Sequence, residues 1–112
     1  MNSEIHIDHD ALTTLKEIME DDFSLLIDTF IKDSTDRLAS LAAELERGDA
    51  DAVRRSAHSF KGSSSNIGAP LLADLILVLE TRGNEGNLEG MQDQLVKVTN
   101  EFNLVRQELA KL

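Results

Sequence analysis

The chain has 112 residues, with 21 Asp and Glu against 11 Lys and Arg, a net charge of −10, and no Cys, Trp or Tyr. That length fits one domain, residues 1–112; the charge argues against nucleic acid as a partner, and the missing Cys excludes a disulfide framework and thiolate chemistry. Neither a basic-then-apolar leader nor an apolar run of roughly 18 residues is present, so no membrane segment is expected and the cytoplasm is the default location.

Residues 1–20 read as an N-terminal segment with a short capping helix, Asp10 to Met19, whose apolar stripe is Leu12, Leu15, Ile18 and Met19 and whose cap is Asp8 or Asp10. Ahead of it, His6 and His9 flank Asp8. That trio offers at most a weak metal site and reads better as a flexible terminal segment. A long second helix follows from Asp22 to Arg47, with Phe23, Ile27, Phe30, Ile31, Ser34, Leu38, Leu41 and Leu45 at the three- and four-residue spacing of one buried face. Gly48 stops it, and Asp49 or Asp51 caps the next.

The third helix spans Ala50 to Asn66, with Val53, Ala57, Phe60, Ser64 and Ile67 as its core stripe. Pro70 opens a fourth helix carrying Leu71, Leu72, Leu75, Ile76 and Leu79. That helix ends before a loop of residues 83–87, with Gly83 and Gly86 at the joint. The last helix begins at Leu88 and buries Met91, Leu95, Val98, Phe102, Val105 and Leu109. No strand pattern occurs. Four long amphipathic helices with short loops predict an all-α, antiparallel, up-and-down four-helix bundle over residues 21–112, with the short additional N-terminal helix at one end.

The third helix carries the chemistry. At 100° per residue, His58 points about 140° away from the core stripe and faces outward. Arg54 at i−4 and Lys61 at i+3 are its neighbours on the surface. Gly62 at i+4 costs roughly 1 kcal/mol against Ala in a helix, and Ser63, Ser64 and Ser65 are weak helix formers, so something other than helix stability favours them. From Ala52 to Ala73 there is no Asp or Glu, whereas a proportional share would be about four. An acidic chain that keeps one segment free of negative charge prepares a surface for an anion. Neutral imidazole is nucleophilic and titrates near physiological pH.

The run from Ala57 through His58, Lys61, Gly62 and Ser65 to Gly68 and Ala69 resembles the signature of histidine-containing phosphotransfer domains, His-x-x-Lys-Gly followed by small residues and a glycine. The similarity extends back to Phe30, Asp33, Arg37 and Leu38 and forward to Leu72, Leu75, Leu79 and Glu80. It implies a four-helix bundle with His58 as phosphoacceptor, Lys61 neutralising the phosphoryl charge and Glu80 beside the imidazole. Arg54, Lys61, Gly62 and Ser65 would face the partner, with Gly62 giving it clearance. The implied partners are receiver domains of hybrid sensor kinases and response regulators, which bring their own Mg²⁺. The chain itself is expected to be a monomer without cofactor or metal. No phosphate-cradling glycine loop is present, so no kinase activity of its own is expected. Two rivals stand beside this reading: a non-catalytic adaptor bundle, and a fragment of a hybrid sensor kinase, against which the chain's own start and finish argue.

Overall fold

The computed structural model describes residues 5–112, which form five α-helices and, among the described residues, no strand. They are α1 (His9–Met19), α2 (Asp22–Arg47), α3 (Ala50–Asn66), α4 (Pro70–Glu85) and α5 (Met91–Ala110). The bounds of α2 and α3 are those the sequence predicts, because both ends carry strong local signals. Gly48 closes α2 in the left-handed conformation at φ 69°, which costs glycine nothing. One residue later, Asp49 caps α3 by accepting the amide hydrogen of Ala52 at 3.1 Å.

Each of the four long helices packs on two others: α2 on α3 and α5, and α4 on α3 and α5, with the α3–α4 contact the most extensive. The whole predicted stripe of α3 is buried, with Val53, Ala57, Phe60 and Ser64 fully so. Phe30, Phe60 and Phe102 meet in the middle, Phe102 lying 6.1 Å from the first ring and 6.4 Å from the second. Burying such rings removes the largest apolar areas from water and holds α2, α3 and α5 together. No helix among the described residues is long and apolar enough to cross a membrane.

Four expectations are corrected. Gly83 is no joint: α4 runs through it to Glu85, and Gly86 is the left-handed stop at φ 74°. Gly83 is buried against α3, where an added Cβ would stand 2.8 Å from the backbone nitrogen of Arg54 and 2.9 Å from the carbonyl oxygen of Ala50. The last helix begins at Met91, not Leu88, because Gly90 takes φ 77° and breaks the helical path. Ile18 is exposed and does not belong to the stripe of α1. The segment before α1 is not loose. Ile7 is buried in the core, the Asp8 amide donates to the Gly68 carbonyl at 2.7 Å, and Leu71 donates to Ile5 at 3.1 Å. His6 meets the buried Glu101 at 2.6 Å. Asp8 itself caps α1 through the Ala11 amide.

Candidate functional site

Burying Val53, Ala57 and Phe60 forces His58 to the opposite side of α3, and its side chain is 68% exposed. The close α3–α4 contact at Gly83 brings Glu80, one turn earlier on α4, within reach of the ring. The Nδ1 atom of His58 lies 2.9 Å from Oε2 of Glu80. The other oxygen of that carboxylate lies 2.6 Å from Nζ of Lys61. One carboxylate thus ties together two side chains of the neighbouring helix.

The protonation of this cluster follows from its geometry. Burial pushes the Glu80 carboxyl up, but the hydrogen bond of Lys61, joined by that of His58 and by their charges, outweighs burial and holds it below its usual range. Glu80 is therefore an acceptor only, and the proton between it and the imidazole sits on Nδ1. In the neutral ring that leaves the lone pair on Nε2, which has no hydrogen-bond partner among the described residues.

The model of the Hpt domain matches residues 25–112. The chain belongs to the Hpt domain family. It is similar to histidine-containing phosphotransfer protein B (HptB) from Pseudomonas aeruginosa PAO1, whose crystal structure superposes with a TM-score of 0.92 at 44% identity, covering 97% of this chain and 95% of that one. No curated protein matches it. An Hpt domain of this kind is a histidine phosphotransfer protein of two-component signalling, and members of the family act as phosphotransfer intermediates rather than kinases.

Of the residues singled out in the sequence, His58, Lys61 and Glu80 converge in this Hpt domain. Gly62 stands on the same side as His58, and a Cβ there would meet nothing within 4 Å. Ser65 is exposed two turns beyond His58 on that side. Arg54 does not turn to the imidazole: it bonds Asp51 at 3.0 Å, and Arg55 meets the same carboxylate at 3.1 Å. Those contacts hold the Asp51 carboxyl below its usual range, the Arg54 hydrogen bond foremost.

The acid-free segment is thus acid-free only along the chain. In space, Glu80 reaches Lys61, Asp51 reaches both arginines, and Glu44 of α2 accepts from Ser56 at 2.9 Å. Sequence reasoning also missed a polar groove beside the site, where Asp33, Asp36, Arg37 and Ser40 of α2 face Ser59 and Ser63 of α3. The family resemblance touched Asp33 and Arg37, but no local spacing joins them to α3.

Proposed function

We propose that His58 is the phosphoacceptor of a multistep phosphorelay, taking a phosphoryl group from the aspartyl phosphate of one receiver domain and passing it to another. The observation that carries this reading is an exposed imidazole whose Nδ1 is engaged by Glu80 and whose Nε2 has no hydrogen-bond partner among the described residues. Nε2 then holds the nucleophilic lone pair on the outside of the bundle. Little covalent work is asked of the protein in phosphoryl transfer; positioning and charge stabilisation dominate. Glu80 does the positioning. Lys61, one turn from the imidazole, supplies a cation for the incoming phosphoryl oxygens. Gly62 leaves the backbone bare where the partner's loops approach, and Arg54 and Ser65 flank that docking face.

On this reading the chain is one Hpt domain over residues 1–112, working as a cytoplasmic monomer. Its helices form an antiparallel up-and-down bundle over residues 21–112 with α1 as an extra N-terminal helix. The closed cycle of contacts from α2 through α3, α4 and α5 back to α2 supports that arrangement. The Mg²⁺ used in transfer belongs to the receiver. The sequence carries no nucleotide-binding loop, so the chain has no kinase activity of its own. The test is labelling. A phosphorylated receiver transfers acid-labile label to the parent chain and none to His58→Gln, and labelled ATP with Mg²⁺ alone leaves the parent unlabelled. Undiminished labelling of His58→Gln would show that the phosphoryl group sits elsewhere.

A further inference from the structure

An exposed imidazole held at Nδ1 by a carboxylate of another element occurs twice in this bundle. Apart from His58, the Nδ1 atom of His6 lies 2.6 Å from Oε2 of Glu101 on α5. The His6 side chain is 48% exposed and the Glu101 side chain 5%. We propose that His6 is a second phosphorylation site, open at Nε2 to low-molecular-weight phosphoryl donors and closed to receiver domains.

The strap ahead of α1 presents this ring. Ile7 is buried in the core, the Asp8 amide donates to the Gly68 carbonyl at 2.7 Å, and the Leu71 amide donates to the Ile5 carbonyl at 3.1 Å. Anchors on both sides of residue 6 hold its side chain at Glu101. Imidazole is the more basic of the two groups, so the shared proton belongs to Nδ1 and the carboxylate accepts it. A neutral ring fixed in that tautomer carries its lone pair on Nε2. That atom has no hydrogen-bond partner among the described residues. A metal is not the better occupant, because no group of three His, Cys, Asp or Glu among the described residues could hold one.

With phosphoramidate as donor, the Nε2 lone pair forms an N–P bond while the donor's own P–N bond breaks. That electron pair leaves with ammonia. Nδ1 keeps its proton, so the ring ends with one positive charge. Glu101 is the counter-charge to that product, and its burial leaves it less screened by water than a surface carboxylate. It acts through His6, as a positioning residue. Two features of the His58 site are missing here. Glu101 pairs with no lysine among the described residues, and the ring is flanked by Ile5, which is exposed, instead of by a glycine. A small donor needs neither feature. A receiver must bring folded loops up to the ring and meets the Ile5 side chain where Gly62 would leave bare backbone.

His9 is the internal control. It is exposed like His6, and its ring makes no hydrogen bond or ion pair among the described residues. The full chain carrying His58→Gln is treated with phosphoramidate at mildly alkaline pH. Acid-labile label is then mapped by mass spectrometry and its linkage read by ³¹P NMR. His6 is expected to take label about tenfold faster than His9, on Nε2. The preference should fall towards parity in urea and when Glu101→Gln is added, which keeps an acceptor but removes the charge. Should that second variant fail to fold, the urea comparison decides. Equal rates at His6 and His9 in the folded chain, phosphorus on Nδ1, or a preference that survives urea or Glu101→Gln in the folded state would overturn the proposal. A phosphorylated receiver should leave His58→Gln unlabelled, and label on His6 from that source would overturn the division between donors. The phosphoacceptor reading of His58 stands or falls separately, on labelling of the parent chain by the receiver.

Discussion

Replacing Gly62 with Gln should separate stability from function. Gly62 lies inside α3, four residues after His58, and a Cβ built there meets no atom within 4 Å. Nothing in the fold therefore resists a side chain. Gln is a good helix former, and removing glycine from a helix interior is worth up to about 1 kcal/mol. For a domain of this size that corresponds to a rise in melting temperature of roughly 4 °C. Transfer should move the other way. Reacting atoms must approach to roughly 3 Å, and a misplacement of about 1 Å costs on the order of 100-fold in rate. A Gln side chain one turn from the imidazole occupies the space through which the partner's loops must come. The assay measures melting temperature by circular dichroism and transfer from one phosphorylated receiver on the same preparations. A variant as stable as the parent, or more so, that transfers about 100-fold more slowly is the expected result. Transfer at the parent rate would refute the clearance argument, and unfolding would show that Gly62 packs against something.

Gly83→Ala should do the opposite to the fold. Its Cβ would press within 2.8 Å of the Arg54 backbone, so a loss of about 1–3 kcal/mol is expected in urea denaturation; an unchanged midpoint would refute the contact. Ser64 is fully buried and its hydroxyl has no partner among the described residues. Ser64→Ala should therefore stabilise by about 1 kcal/mol, and a destabilised variant would mean the hydroxyl is bonded after all. Because Lys61 and His58 hold the Glu80 carboxyl low, its contribution to stability is full above roughly pH 4.3 and is lost as pH falls through the depressed value. The stability gap between the parent and Glu80→Gln should accordingly close in acid. A gap that is constant down to about pH 2 would contradict that sign.

The helical architecture is legible because its signals are local. The stripes of α2 and α3 follow the helical period, and Gly48, Asp49 and Pro70 mark boundaries within a residue. Two of the misreadings share one cause. Gly83 looks like a stop in a one-dimensional reading, and only the packing of α3 against α4 shows that its missing side chain serves a close approach. Ile7 shares its polar run with Ile5 alone, too little for a helical periodic signal, yet it fills the core while Ile5 stays exposed. The site divides the same way. The outward direction of His58 follows from the period of α3, and its nearness to Lys61 from their spacing. Glu80 lies 22 residues from His58 on another helix, where no spacing rule operates and only family resemblance pointed to it. The charge reading failed for a related reason, since a segment without acids is not a surface without acids once α2 and α4 lie against it.

The contact at Gly83 also bears on how such a site can be re-engineered. Backbone touches backbone there, and backbone contacts have no rotamers through which to relax. The separation of α3 and α4 one turn from His58 is therefore set by a rigid stop and not by the particular side chains around it. Residues 61 and 80 can be exchanged in a library, changing charge, hydrogen-bond capacity or size, while the helices keep their spacing and each variant reports chemistry instead of rearrangement. Position 83 offers no such freedom. The place where the reactivity of the imidazole can be rewritten and the place that keeps its surroundings in register lie three residues apart on one helix.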